Sequence, residues 1–393
     1  MCIKIASRGD LLLAAPAFHK LRSTRPNAHI TLLVGASCLD VAQHLPYFDE
    51  IQIINDHALM AGRWWSQLKE AQHLFGLLKT RVDSETGARP CIYSEIIIFH
   101  RDWRYGFLAW LSGIPVRRGF HGKGGVSFLT HPYAAGEEEH HVSQYLNMAT
   151  GKPPDQTKSG NLAPLAGLWK FHENEHDQAV VKVIALGFQP DQTSWIALGF
   201  GGGRNVKTQT ELKIWPTDHY RELATRLTEN GHRVVWVGDV KDAEKLKPND
   251  TGLNLAGKLT VTETAAVLGA CRLVVTNDTL TLHLAEALGT PTIGIFGPTD
   301  PAHYRPLGKR STHLWLGETL PCSPCHRDGY FPPCAFDHRC MKELSVESVL
   351  KKIESALVTT QVVSPTFSTG AVKKYFCGEF SSEGESISGQ KWL

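Results

Sequence analysis

The chain has 393 residues, of which 42% are hydrophobic and 20% are charged, and its formal net charge is +2. This length exceeds one ordinary hydrophobic core, so we expect two domains. Its lysines and arginines are spread along the chain, which argues against a nucleic-acid-binding protein, because such proteins need clustered positive charge.

The sequence contains no apolar stretch of the roughly 20 residues that span a bilayer, and we expect a cytoplasmic protein. Nine cysteines are an odd number in a long chain without a signal-peptide pattern. This favours reduced thiols or a metal site over a disulfide framework.

The first half alternates strand-like and helix-like segments. Strands are predicted at residues 3–6, 30–34, 51–54 and 96–99, helices at 11–25 and near 105–111, and a glycine-rich turn at 122–125. Such alternation predicts a parallel sheet covered on both faces. The segment 101–110 mixes aromatic and basic residues, and its apolar spacing favours a buried helix face over contact with a membrane.

A linker rich in proline, glycine and serine, residues 151–161, separates this half from a second alternating half. Helices are predicted at 173–186, 217–230 and 345–357, strands at 195–198, 233–237, 272–276 and 292–296, and a glycine-rich loop at 199–203. We therefore predict an α/β chain of two doubly wound domains, residues 1–165 and 166–345. The tail, 359–393, has little apolar periodicity, and we expect it to be mobile.

The segment from Asn277 to Asp300 reads as a polar turn and a helix that lie between two buried strands. The amide groups and positive dipole end of such a helix point to the carboxyl edge of the sheet, where phosphate groups bind. Asp278, Thr279 and His283 can face that phosphate. The alternatives are that Asp278 and Thr279 only cap the helix and that His283 is a packed core residue.

Three further residues follow strand ends. Asp10 can accept a proton from an acceptor hydroxyl, although helix capping is the commoner role at such a position. Lys213 follows the glycine-rich loop and suits a diphosphate, whereas most isolated lysines are merely exposed. Asp242 lies in a loop with several acids, and a carboxylate there can bind ribose hydroxyls.

The sequence lacks the motifs that hold a catalytic metal, so no cofactor and no metal in the active site are expected. Four cysteines near the end are spaced as in a tetrahedral zinc site. They are Cys322, Cys325, Cys334 and Cys340. Reduced structural cysteines are the favoured interpretation, with zinc as the alternative.

Several of these segments together resemble glycosyltransferase family 9, which includes the ADP-heptose lipopolysaccharide heptosyltransferases. The matching segments, in chain order, are GDLLLAAPAFHKLR at 9–22, GFHGKGG at 119–125, KIWP at 213–216, VGDVKD at 237–242, NDTLTLHLAEALGTPTIGIFGPTDP at 277–301 and CSPC at 322–325. The resemblance spans nearly the whole chain up to about residue 345. One departure is Leu280, where family members usually carry a small residue.

The resemblance implies a GT-B fold, in which an acceptor-binding domain and a nucleotide-sugar-binding domain face a central cleft and a crossover helix, residues 345–358, returns toward the first domain. It implies inverting transfer of a sugar, with heptose from ADP-heptose favoured, to a lipid-linked or lipopolysaccharide-core acceptor. Asp10 is then the candidate general base. Lys213, Asp278, Thr279 and His283 then hold the donor diphosphate, and Asp242 the ribose.

Two other functions stay open at this point. A nucleotide-sugar epimerase on a similar scaffold needs no acceptor, and a catalytically idle relative only binds the nucleotide sugar. Peripheral contact with the cytoplasmic membrane face is also left open.

Overall fold

Two six-stranded parallel sheets organise the chain. The strands of the first sheet are β1 (Cys2–Lys4), β2 (Thr31–Gly35), β3 (Glu50–Ile54), β4 (Glu95–Ile98), β5 (Val116–Phe120) and β6 (His131–Tyr133). Those of the second are β7 (Trp195–Gly199), β8 (Arg233–Val237), β9 (Leu253–Asn254), β10 (Leu273–Asn277), β11 (Thr292–Phe296) and β12 (Thr312–Trp315). The computed structural model describes residues 1–79, 93–122, 126–154, 162, 164–190, 194–203, 210–327 and 330–358.

The strand orders are β3-β2-β1-β4-β5-β6 and β12-β11-β10-β7-β8-β9. Each sheet thus begins near its middle, runs to one edge, and then returns to fill the other side. Thr276 of β10 pairs with Gly199 of β7, so both strands end at one level. The order reverses between β1 and β4 and between β7 and β10, and ligands of doubly wound sheets bind at the carboxyl ends of such strand pairs.

Helices connect the strands. In the first half they are α1 (Arg8–Thr24), α2 (Leu39–Ala42), α3 (Asp56–Ala61), α4 (Trp64–Lys79), α5 (Trp103–Leu111) and α6 (His141–Thr150). In the second half they are α7 (Glu175–Ala185), α8 (Thr217–Glu229), α9 (Val240–Ala243), α10 (Val261–Ala270), α11 (Leu280–Leu288), α12 (Pro301–Tyr304), α13 (Arg339–Lys342) and α14 (Val346–Val358). Short 3₁₀ turns occur at Ala36–Cys38, Val126–Phe128 and Thr210–Lys213.

One face of the first sheet is covered by helices α3, α4 and α5. Leu74 and Leu78 of α4 and Tyr105 and Ala109 of α5 pack in one core with the strand residues. The expectation that segment 101–110 is simply buried is wrong for its tryptophans. Trp103 and Trp110 are exposed, since the core takes only the side of α5 that carries Tyr105 and Ala109.

The second sheet has its own core. Trp215, Tyr220 and Trp236 are fully buried in it, and the indole nitrogen of Trp215 donates to the carbonyl of Leu344 at 2.8 Å. Four residues of α14 complete this core, namely Val346, Val349, Leu350 and Ile353. The described part of α14 therefore packs on the second sheet. Its crossing toward the first domain and the domain boundary at residues 165 and 166 stay predictions.

The first turns of α1 and α11 meet between the two halves. A Cβ atom placed on Gly9 would lie 2.9 Å from Cδ2 of His283, which is closer than such atoms approach in proteins. The absence of a side chain at residue 9 therefore allows the two helices to meet.

None of the described helices has the length and apolar character needed to cross a bilayer. Residues 123–125 of the predicted glycine-rich turn at 122–125, and the whole predicted tail at 359–393, lie outside the described residues.

Candidate active site

A cleft of about 2520 Å³ opens at the carboxyl ends of both sheets. It is lined from the first half by residues that follow β1 and β4, including Asp10 and Arg101, and from the second half by residues that follow β7 and β10. All six predicted site residues line it, namely Asp10, Lys213, Asp242, Asp278, Thr279 and His283. The fold therefore brings them to one cavity, while their individual roles stay predictions.

Asp10 lies in the first turn of α1 and forms an ion pair with Lys4 of β1. The Lys4 ammonium group donates to Asp10 Oδ2 at 3.2 Å and to the carbonyl of Ala6 at 2.8 Å. Lys4 itself is buried, whereas the Asp10 side chain is 32% exposed. The cap position of α1 is Ser7, so the commoner capping role does not describe Asp10.

The pKa of Asp10 reflects two opposing effects. Burial alone would raise it, because a low-dielectric environment disfavours the carboxylate. The charge of Lys4 and its hydrogen bond to Asp10 outweigh burial and lower the pKa of Asp10 far below its usual range. Asp10 is therefore ionised at every pH near neutrality.

Lys213 and Asp278 form a second ion pair on the other side of the cleft. The Lys213 ammonium group donates to Asp278 Oδ2 at 2.7 Å, and the Asp278 side chain is only 4% exposed. Burial would raise the pKa of Asp278, but the nearby charge of Lys213 and the hydrogen bond from Lys213 lower it. Lys213 is thus not the merely exposed lysine of the alternative interpretation, because a buried carboxylate fixes its position.

His283 lies between these two pairs. Its Nε2 atom is 3.8 Å from Asp278 Oδ1, and its ring contacts the backbone at Gly9. Burial lowers the pKa of His283. The charges of Asp278 and Asp10 act to raise this pKa and the charge of Lys213 to lower it, and the net shift is downward. The imidazole is therefore neutral at neutral pH, so it can donate one hydrogen bond and accept another.

Helix α11 begins at the cleft without a side-chain cap. Thr279 occupies the cap position, yet its hydroxyl accepts no hydrogen bond from the first turn and lies 3.5 Å from the hydroxyl of Thr276. The interpretation in which Thr279 only caps the helix does not fit this geometry. An uncapped helix N-terminus favours an anion, through its free amides and the helix dipole. Leu280, the departure from the family pattern, is the first residue of this helix and is half-buried.

Asp242 is already engaged within the protein. Its carboxylate accepts a hydrogen bond from the amide of Asp239 at 3.1 Å and another from Lys245 at 3.0 Å. A Cβ atom on Gly201 would lie 2.1 Å from Asp242 Oδ2, so the glycine-rich loop passes directly over this carboxylate. Asp242 caps α9 and supports that loop. Contact with a ribose stays a prediction, and it requires Asp242 to share its hydrogen bonds.

Four further residues, to which the sequence did not point, complete the site. Lys4 and His141 come from the first half, and Tyr304 and His326 come from the second. Burial and the charges of Asp10 and Asp278 raise the pKa of Tyr304 well above its ordinary value. Burial and Lys213 lower the pKa of His326 to about 4. Charged residues of both ion pairs therefore influence the pKa values of Tyr304 and His326.

Sequence signals for these residues existed but were weak. Lys4 is a charge inside an apolar strand, and His141 belongs to a His-His pair that follows three glutamates. Each pattern is common at positions without a function. Only the structure shows that His141 Nδ1 is buried and lacks a hydrogen-bond partner in the described part of the chain. Buried polar atoms are seldom left unpaired, so this nitrogen is a candidate contact for a ligand.

The four C-terminal cysteines are free thiols. Burial and the neighbouring cysteines raise the pKa of Cys340 to about 11. No three of their sulfur atoms lie within 4.8 Å of one another. Among the described residues, the ligand atoms of His44, His172 and Glu175 do lie within this distance. Sulfur ligands of one zinc ion lie about 3.8 Å apart. The structure thus shows no assembled zinc site at the cysteines, and zinc binding there stays a prediction.

Comparison with known proteins identifies the family. A model of glycosyltransferase family 9 (heptosyltransferase) matches residues 89–331, which is more than half of the 393 residues. The chain belongs to glycosyltransferase family 9. Lipooligosaccharide heptosyltransferase 2 of Haemophilus influenzae, a curated relative of this family 9 chain, is 24% identical over 365 residues, covering 89% of this chain and 96% of the relative.

Solved structures share the fold of this chain. The Escherichia coli ADP-heptose lipopolysaccharide heptosyltransferase II aligns with a TM-score of 0.63 at 20% identity, over 91% of this chain and 98% of that one. A family 9 glycosyltransferase of Veillonella parvula aligns with a TM-score of 0.69 at 20% identity, over 91% and 97% of the two chains. The predicted GT-B fold is confirmed, and as a family 9 member the chain is a glycosyltransferase.

Proposed function

We propose that this family 9 glycosyltransferase moves heptose from ADP-heptose to a lipopolysaccharide-core acceptor, with inversion at the anomeric carbon. The observation that carries the proposal is the arrangement of two ion pairs, Lys4–Asp10 and Lys213–Asp278, on opposite sides of one cleft. Relatives that are heptosyltransferases, among them the Haemophilus influenzae enzyme, support the choice of sugar. The epimerase and idle-relative alternatives have no comparable support.

The donor diphosphate is proposed to bind at the start of α11. Lys213 offers a cation and the first turn offers amide groups, and charge-assisted hydrogen bonds to an anion contribute about 1.5–3 kcal/mol each. The carboxylate of Asp278 would repel a phosphate on its own, so its role is to hold Lys213 in position. Neutral His283 can donate a hydrogen bond to a phosphate oxygen.

The acceptor is proposed to bind on the side of Asp10. Its hydroxyl oxygen attacks the anomeric carbon and forms the new glycosidic bond, while the bond from that carbon to the diphosphate oxygen breaks. The hydroxyl proton passes to the Asp10 carboxylate, and the electron pair of the broken bond leaves with ADP. A positioned base contributes roughly 10²- to 10⁴-fold to such a step.

The separation of roles follows from the charges. The base must carry negative charge next to the acceptor, whereas the leaving group needs positive charge and hydrogen-bond donors. Lys4 keeps Asp10 ionised without entering the donor side, because it is buried and belongs to β1 of the first half. His141 lines the cleft from the first half, and its Nδ1 atom has no hydrogen-bond partner among the described residues, so we assign this atom to the binding of an acceptor hydroxyl.

The proposal is tested with purified protein, ADP-heptose and a heptose-deficient lipopolysaccharide-core acceptor. We expect ADP release that depends on the acceptor, together with an acceptor mass increased by one heptose. Isomerised nucleotide sugar without ADP would instead indicate an epimerase. Binding of ADP-heptose without either product would indicate an idle relative and would contradict the proposal.

A further inference from the structure

Exposed aromatic side chains are concentrated on two neighbouring helices of the first half, α4 and α5. Six large apolar residues there are between 47% and 65% exposed, namely Trp64, Trp65, Leu68, Trp103, Trp110 and Leu111. We call these six residues the aromatic surface. Tryptophan is costly to expose, and monomeric soluble proteins seldom present apolar groups in such clusters without a partner.

The spacing on α5 shows that the exposure is systematic. Trp103, Phe107, Trp110 and Leu111 follow the spacing of one helix face, and this face lies opposite the side that carries buried Ala109. The ring of Phe128 packs 5.2 Å from that of Phe107 and 5.7 Å from that of Trp110. An apolar helix face that points away from the protein core indicates a surface that is covered by something apolar outside the chain.

The aromatic surface comes near the cleft at the start of α5. Helices α4 and α5 cover the same face of the first sheet, so their exposed sides point away from it together. Helix α5 follows the carboxyl end of β4, so Trp103 in its first turn is near the edge where Asp10 lies. Arg101, two residues before Trp103, lines the cleft.

The charges around the surface are complementary to an anionic layer. Arg63 and Lys69 flank the exposed residues of α4, are exposed themselves, and form no ion pair with a described residue. Glu70, the acid on this part of α4, is mostly covered and contacts His73. Aromatic rings flanked by unpaired cations are typical of a surface that lies in the head-group region of an anionic membrane.

We propose that the aromatic surface docks the enzyme on an anionic lipid bilayer and so presents the cleft to an acceptor that is anchored there. This inference rests on the proposed function, because a lipid-linked acceptor gives the docking its purpose. The tryptophans enter the interface, where an amphipathic ring is stable, and Arg63 and Lys69 contact lipid phosphates. The acceptor sugar then reaches Asp10 from the side of the cleft that faces the membrane.

Vesicle flotation of the full-length protein tests the proposal. The probes are phosphatidylcholine vesicles with and without phosphatidylglycerol. We expect binding to the anionic vesicles, weakened by salt, and a loss of roughly tenfold or more in the Trp64→Ser/Trp65→Ser variant, because each buried large apolar group contributes about tenfold or more. The charge variant Arg63→Glu/Lys69→Glu should lose binding too, and it spares every apolar contact.

The matched control is Val181→Ser/Phe336→Ser, which removes two exposed apolar groups from the second half. It should float like the wild type. Equal binding by all variants, or a wild type that does not float, would overturn the proposal. So would a stable dimer that the tryptophan variant dissociates, since the surface would then join two copies of the chain.

Activity separates this proposal from the proposed function. The tryptophan and charge variants should transfer heptose to a delipidated, soluble acceptor at the wild-type rate and lose transfer only to the membrane-embedded acceptor. If the wild type transfers to neither acceptor but floats, the proposed function fails while the docking surface stands. If both acceptors respond equally to the substitutions, the docking proposal is wrong.

Discussion

At the residue scale, the state of Asp10 depends on its neighbour Lys4. The carboxylate is held in a partly buried position where burial favours the neutral acid, and the buried ammonium group reverses that preference. An ionised Asp10 can accept the acceptor proton without first losing one of its own. Lys4 therefore acts as a positioning residue that sets the protonation state of the base.

Replacing Lys4 should change the pH dependence of the reaction. The base works only when ionised, so activity falls as the pH drops through the pKa of Asp10, which in the wild type lies well below its ordinary value. In Lys4→Met burial is no longer opposed, the pKa of Asp10 rises, and the acid limb of kcat/KM should move into the range of about pH 5–7.

The control is Arg8→Met, which removes another cation that lines the cleft but pairs with Asp40 at 2.7 Å. The acid limb of the kcat/KM profile of Arg8→Met should lie at the same pH as that of the wild type. If Lys4→Met lowered kcat/KM by the same factor at every pH, Lys4 would have only a structural role.

The site residues that the sequence could not reveal are those whose role depends on where the fold places them. Asp10, Lys213 and Asp278 were found because they follow strand ends, where parallel sheets bind ligands. Lys4 is itself the last residue of β1, and Tyr304 lies on a short helix with no motif of its own. Their contacts with the site depend on how the two halves meet, which no local pattern encodes.

At the scale of elements, the contact between α1 and α11 links the two halves of the site. The helix that carries Asp10 meets the helix that carries His283, and Gly9 lies at this contact. A shift of either helix therefore moves the base relative to the donor pocket. Displacements near 1 Å from productive geometry can cost about 10²-fold in rate.

Gly9→Ala should disturb this contact. The new Cβ atom would lie 2.9 Å from Cδ2 of His283, so the imidazole or the helix must move. We expect kcat/KM to fall roughly 10- to 100-fold while the melting temperature changes little. Gly269→Ala in α10 is the matched control, because nothing lies within 4 Å of its added Cβ. Wild-type kinetics in Gly9→Ala would show that the contact is not needed for catalysis.

Some elements could be predicted closely and others could not. The strand at 272–276, the helix after it and the strand at 292–296 agree with β10, α11 and β11 to within a residue or two, because long apolar runs end at strong turn residues. Strands β5, β6, β9 and β12 were missed. Val-Arg-Arg-Gly-Phe and His-Pro-Tyr lack an apolar run, and β9 has two residues. They form because a neighbouring strand supplies hydrogen bonds, which is a tertiary effect.

At the scale of the whole molecule, two sheets of the same strand order face one cleft, and each contributes half of the chemistry. The first half supplies a base kept ionised by Lys4, and the second supplies a cation and a helix N-terminus for the leaving diphosphate. The GT-B fold and family 9 membership were predictable, because the motifs recur in order along the chain. The exposure of the α5 tryptophans was not predictable, because helical spacing does not reveal which face of a helix is covered.

Asp10→Asn tests the central claim most directly, with turnover of ADP-heptose and an acceptor measured beside the dissociation constant of the donor. We predict that turnover falls roughly 10²- to 10⁴-fold while donor affinity is retained, because the amide cannot accept the proton and the donor pocket lies in the other half. Asp40→Asn, which changes another acid that lines the cleft, should turn over like the wild type. Unchanged turnover in Asp10→Asn would contradict the account.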